Sequence, residues 1–292
     1  MFGLIGTARQ RAAVLAAGTL AAFACGHSQR LEAQGLGDFT VTPTRLVFEG
    51  RDSTEMVTVV NSSAQTATFR ISFVHMQMSE TGELTQIETL PEGYKAAEPM
   101  LRYAPRQIEI PPGQTQVVRI ALRKPEGLAA GEYRSHMFFR AVPDESRGQA
   151  IEQAGAGGSE GLRIELIPIF GITIPAIVRH GEISAKAALS EFALARNNDQ
   201  QVLRFRIARE GDSSLYGDVS VNYTPPGGQG RGIVIAELNR VAVYPEVSRR
   251  LVEVALRPPS GVSLASGGTL EITYRSADPS AAVLSAGTYR IP

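Results

Sequence analysis

One cysteine, no tryptophan and no surplus of either charge narrow what this 292-residue chain can do. The cysteine is Cys25, inside an N-terminal segment that reads as a removable leader, so the mature chain has no disulfide and no thiol nucleophile. Lys+Arg and Asp+Glu both number 29, which gives no electrostatic ground for a nucleic-acid or other polyanion partner. Aromatics make up only 7%, so platforms for stacking bases or sugars are scarce. His27, His75, His136 and His180 lie far apart, never at i,i+4 spacing, and predict no metal site. No serine has a convincing base partner in the sequence, and the glycine-rich "AGAGGSEG" precedes a strand where a phosphate loop needs a helix. The expectation is therefore of a non-enzyme with no catalytic residues, no cofactor, no metal and no small-molecule substrate.

What is present is enough apolar material for a full core, 43% hydrophobic against 20% charged. The first 33 residues stand apart from it. Arg9 and Arg11 precede an apolar run from Ala12 to Cys25, and a polar stretch follows, the n-, h- and c-region order of a secretory signal. The run is shorter than the roughly 20 residues that span a bilayer. Cleavage is expected after Ala33, in "LEA", which exports the protein to the periplasm. A competing reading takes "AFAC" as a lipobox, with Cys25 lipidated and kept as a membrane anchor.

From Phe39 onward short apolar runs alternate with Gly- and Pro-containing turns. "TATFRISFVHM" places Ala67, Phe69, Ile71 and Phe73 at a period of two, the mark of a half-buried strand. "RQIEIPPGQTQVVRIAL" reads as two strands about a Pro-Pro-Gly turn, and residues 77–101 as irregular with a short strand or loop. Seven or so strands in about 140 residues fit an Ig-like sandwich. A second set, including "QVLRFRIA", "LYGDVSVNY", "RRLVEVAL" and "TLEITYR", follows the charged break at "RHGEIS", while the tail from Ala277 is weakly patterned. The predicted architecture is all-β: two Ig-like β-sandwich domains in tandem, at an angle with a cleft between them. The boundaries are 1–33 for the leader, 34–179 for the first domain and 180–292 for the second.

Two features of the first domain invite a functional question. Arg45 sits in "VTPTRLVFEG", directly before Leu46, Val47 and Phe48; it is either an exposed arginine near a strand end or a binding residue. In "GLRIELIPIFGITIPAIV", Leu162, Ile164 and Leu166 alternate with Arg163 and Glu165, a pattern that serves either the domain's own core or a partner's.

Three stretches, in order, resemble the PapD-like family of periplasmic pilus-assembly chaperones: "VTPTRLVFEGR", "APRQIEIPPGQTQVVRIALR" and "LAAGEYRSHMFFRAVP". The likeness covers about residues 39–178. It implies a chaperone that binds pilus or fimbrial subunits by donor-strand complementation and hands them to an outer-membrane usher. Leu162, Ile164 and Leu166 would then form the donor strand, and Arg45 would hold the subunit's terminal carboxylate in the interdomain cleft. An exposed donor edge also makes a self-capping dimer plausible. Two departures stand out. The family's second anchor, a lysine, falls at Gly171 or Phe170, and no lysine occurs between Lys124 and Lys186. The family's "RES" is "YRS" here, leaving its interdomain glutamate missing or displaced to Glu132. The alternative is a two-domain Ig-like structural or surface envelope (lipo)protein without chaperone activity. Fractionation separates the readings of the leader: a soluble periplasmic pool whose intact mass begins at Gln34 is expected, whereas a membrane pool abolished by Cys25→Ala would establish the lipid anchor.

Overall fold

The computed structural model describes residues 39–143, 170–198, 200–228, 232–278 and 280–292, and these form β-structure with one short 3-10 turn, Glu98–Met100. Leu162, Ile164, Leu166 and the leader lie outside the described residues. Among the described residues no helix is long and apolar enough to cross a membrane.

Among the described residues, seventeen strands divide into two sandwiches. The first contains β1 (Phe39–Thr42), β2 (Leu46–Phe48), β3 (Thr54–Asn61), β4 (Ala67–Met78), β5 (Leu84–Ile87), β6 (Leu101–Ala104), β7 (Gln107–Ile110), β8 (Thr115–Leu122), β9 (Gly131–Val142) and β10 (Gly171–His180). One sheet runs β1-β3-β8-β6 and the other β2-β10-β9-β4-β5, with β7 also on β4. The second sandwich contains β11 (Ala185–Asn197), β12 (Gln200–Gly211), β13 (Leu215–Thr224), β14 (Ile233–Val243), β15 (Arg249–Ala255), β16 (Thr269–Ser276) and β17 (Val283–Arg290). Its sheets run β11-β12-β15 and β14-β13-β16-β17.

The period-two pattern does what it should. Ala67, Phe69 and Ile71 face inward from β4 onto Val57, Val59, Val118 and Ile120 of the opposite sheet. The stretch around Arg45, which reads as one strand, is two. Pro43 has no N–H to donate, so β1 stops at Thr42 and the chain crosses to the other sheet, where β2 pairs in parallel with β10, Leu46 opposite Ala176. Arg45 lies in the crossing. The weakly patterned tail holds β17, antiparallel to β16, on an edge where alternate exposure blurs the apolar signal.

The two cores touch at one end of β4, β9 and β10. Met78 and Ile177 belong to the first sandwich by chain but are buried in the second core, with Val47 packed alongside. The β4–β5 hairpin reaches further across. The Leu251 N–H donates to the Glu80 carbonyl at 2.6 Å, and the Glu80 carboxylate takes Arg249 Nε at 3.1 Å and Arg206 Nη1 at 3.4 Å. Those ion pairs are solvent-exposed and contribute little by themselves. The backbone contact is different, because Gly82 sits under the Arg250 guanidinium. A Cβ there would fall 2.2 Å from Arg250 Nε, at φ +83°. Gly82→Ala is expected to lower stability by about 1–2 kcal/mol in a urea titration; an unchanged midpoint would mean that the hairpin does not brace the second sandwich.

Candidate functional site

Strand β9 is buried on both faces from Arg134 to Met137, and Glu132 is buried beside them. Its odd residues, Met137 and Phe139 among them, enter the first core. Its even residues, Glu132, Arg134 and His136, share the other face and meet the second sandwich. Alternation alone puts three ionisable groups in a row there, and each must find a partner or lose its charge.

Glu132 has no exposed side-chain surface. Its Oε2 accepts the Ser214 N–H at 3.0 Å, the Ser214 hydroxyl at 2.9 Å and Arg179 Nε at 3.2 Å. Arg179 is opposite Glu132 on β10, and its Nη1 also reaches Glu49 at 3.2 Å. Glu132 is therefore a contact between the two sandwiches. Arg134 grips Glu246 with two parallel bonds, Nη1 to Oε2 at 3.0 Å and Nη2 to Oε1 at 2.5 Å. It stacks 3.7 Å from the Tyr244 ring centroid, and Glu246 also accepts the Met78 N–H. Burial works to lower the Arg134 pKa, but the hydrogen bonds and charge of Glu246 outweigh it and hold the group above its ordinary value. Removing one member of such a pair typically costs several kcal/mol, since the other charge stays buried.

Arg45 completes the network from the β1–β2 crossing. Its Nη2 donates to Ser214 Oγ at 3.1 Å, so a relay runs from Arg45 through Ser214 to Glu132. Its Cζ lies 4.3 Å from the Tyr216 ring centroid and 5.9 Å from that of Tyr244. Burial lowers its pKa, partly offset by Tyr244 and Glu132. Nη1 is buried with no protein partner. Beside it opens a cavity of roughly 640 Å³ between the sandwiches, lined by Arg45, Arg179, Arg240, Ser214, Tyr216 and Asp278 among others.

Gly171 is elsewhere. It lies five residues along β10 from Ala176, the residue facing Leu46, and a Cβ on it would strike the Phe138 ring at 2.3 Å. Phe170 is partly exposed and its carbonyl accepts the Ala141 N–H. Neither position brings a cation near Arg45. The cation that does share the cavity from β10 is Arg179, and nothing in its local sequence distinguishes it.

Ser135, His75 and Glu98 have the connectivity of a hydrolytic relay, with Ser135 Oγ 3.4 Å from His75 Nδ1 and His75 Nε2 3.1 Å from Glu98 Oε2. The serine is fully buried, however, and its oxygen accepts the N–H groups of Ala97 and Glu98 at 3.1 and 2.9 Å. It pins the 3-10 turn to the sheet and presents no nucleophile. Among the described residues no three His, Asp or Glu side chains converge as metal ligands.

His136 has no partner on either ring nitrogen and packs edge-on to Tyr244. Burial, then the charges of Arg134 and Arg45, push its pKa down to about 3 from 6.5. The folded state thus holds it neutral while the unfolded chain protonates it. Its contribution is full above pH 6.5 and shrinks as pH falls toward 3, by about 1.4 kcal/mol per unit. Between pH 7 and 4.5 the wild type is expected to lose about 2–3 kcal/mol more unfolding free energy than His136→Leu; parallel losses in the two proteins would contradict the assignment.

No family model matches the chain, and no curated protein does. Among solved structures it is similar to the YadV chaperone, 10% identical, with 87% of this chain and 100% of that one covered and a TM-score of 0.42. It is also similar to the Pseudomonas aeruginosa CupB2 chaperone (12% identical, 87% and 100% covered, TM-score 0.40) and to the E. coli chaperone DraB (11%, 87% and 96%, TM-score 0.42). At these identities and scores the case for a function rests on the chain's own residues.

Proposed function

We propose that this protein is a periplasmic chaperone of the PapD-like kind, which stabilises fimbrial or related surface-fibre subunits by donor-strand complementation and delivers them to an outer-membrane usher. One observation carries the reading. β10, the last strand of the first sandwich, pairs with β9 along its whole length, but on its other side with β2 only from Ala176 to Val178. Among the described residues nothing pairs with Gly171–Ile174 on that side, which leaves a strand edge open for an added strand.

The rest is consistent with that edge. Residues 34–179 act as the subunit-binding domain and 180–292 as the second, joined by the buried polar face of β9. Upstream of the open edge, Leu162, Ile164 and Leu166 supply the apolar side chains of the donor strand, each worth about 1.5–3 kcal/mol when buried in a subunit groove. Arg45 takes the subunit's terminal carboxylate at the cavity, where the incoming group replaces Ser214 on Nη2. In the absence of subunit, the same edge can pair with a second copy of the chain.

Co-expression with candidate fimbrial subunits is expected to yield a co-purifying complex. Ile164→Asp combined with Leu166→Asp is expected to abolish that complex while the melting temperature of the free protein stays unchanged. A complex that survives the double substitution would refute donor-strand binding.

A further inference from the structure

The bonds that neutralise the polar face of β9 leave two atoms over. Ser214 and Arg179 engage only Oε2 of Glu132, and Glu246 and the Met76 carbonyl engage only the Nη atoms of Arg134. Glu132 Oε1 and Arg134 Nε are buried and have no hydrogen-bond partner among the described residues. The two side chains are 0% and 4% exposed. An unmet acceptor and an unmet donor at that depth are costly, and each calls for a partner.

Both residues line a second cavity, of roughly 390 Å³, which shares no lining residue with the one beside Arg45. Small-molecule sites occupy about 300–1,000 Å³. Glu132 and Arg134 project from one face of β9, about 6.6 Å apart along the strand. One oxygen that accepts a bond and donates another, each about 2.9 Å long, spans nearly that distance. The group that does both is a hydroxyl. A charged group matches poorly, because Arg179 and Glu246 already answer the two charges. The other cations on the wall are engaged as well. Lys95 Nζ donates to the Ala130 carbonyl, and Arg209 gives four hydrogen bonds to the carbonyls of Val247, Gly211, Ser213 and Pro245. Glu92 and Asp212 are exposed, and among the described residues their carboxylates have no hydrogen-bond partner, so they can accept from further hydroxyls. The Tyr94 hydroxyl is tied to the Met76 carbonyl at 3.3 Å, which leaves its ring as an apolar wall with Pro245.

We propose that this second cavity binds a neutral, polyhydroxylated small molecule of the monosaccharide class. One ligand hydroxyl bridges Glu132 Oε1 and Arg134 Nε at the floor, and others reach Glu92 and Asp212. Such a ligand touches the 91–95 loop of the first sandwich and residues 209–212 and 245–246 of the second, and so ties the two together. The site is independent of subunit capture and stands or falls without it.

Titration of the full mature chain with glucose, galactose and ribose tests this, with tetrahydropyran as a ring that has no hydroxyls. Binding is read from the Arg134 Nε–Hε NMR signal, assigned through its NOEs to the Tyr244 ring, whose centroid is 3.7 Å from Arg134 Cζ. At least one sugar is expected to shift that signal saturably at millimolar concentration, and tetrahydropyran is expected to leave it in place. Saturation separates a site from the general stabilisation that excluded polyols give any protein. Glu92→Ala combined with Asp212→Ala is expected to weaken the sugar about tenfold. Both side chains are exposed, so the melting temperature of the double variant should not change. No saturable shift with any of the three sugars would overturn the proposal, and a long-lived water with an NOE to Arg134 Hε would then identify a buried water only. An equal response to tetrahydropyran, or full affinity in the double variant, would overturn it too.

Discussion

The interface between the sandwiches is organised by the electrostatic cost of one strand face. Glu132, Arg134 and His136 project from β9 at successive alternate positions into a region closed to water. A carboxylate, a guanidinium and an imidazole cannot be left there unanswered. Each is answered differently: Glu132 by Ser214 and Arg179, Arg134 by a two-bond grip on Glu246, and His136 by giving up its proton. Two of these solutions require residues of the second sandwich in particular places. The cost of burial thereby becomes a constraint on how the sandwiches meet, a use of buried ion pairs in which specificity matters more than net stability.

That constraint acts together with apolar packing. Met78 and Ile177 enter the second core, and the β4–β5 hairpin adds a backbone bond from Leu251 to Glu80 on the far side. Contacts at two separated points resist rotation where a single patch would permit it. The cavity lined by Arg45 and Arg240 is framed by those two contacts.

Much of this was legible in the chain, and what was not had identifiable causes. The strands with clean alternation, such as β4 and β8, were readable because one side is core and the other water. β11 was not. "AKAALSEFALARN" is rich in Ala, Leu, Glu and Arg, residues that favour helix in isolation, and only pairing with β12 makes it a strand, with a bulge between Ser190 and Ala193. Glu132 was readable only through the family's displaced glutamate, and Arg45, from its own neighbours, only as an exposed or a binding arginine; the resemblance alone put it in an interdomain cleft. Their partners in the second sandwich, Ser214 and Tyr216, are 82 or more residues away in sequence and have no local signature.

The sequence by itself determined the all-β class, the expectation of a leader, the lack of an intrachain disulfide in a chain with one cysteine, and the alternation that buries each sheet, because these depend on composition and on neighbours two residues apart. The tertiary structure alone decided where Arg45 lies, which residues neutralise β9, and that Arg240 meets Thr44 at the cavity beside Arg45. Those outcomes depend on groups brought together from up to 196 residues apart, and long-range electrostatic matching leaves no periodicity in the chain from which to read it.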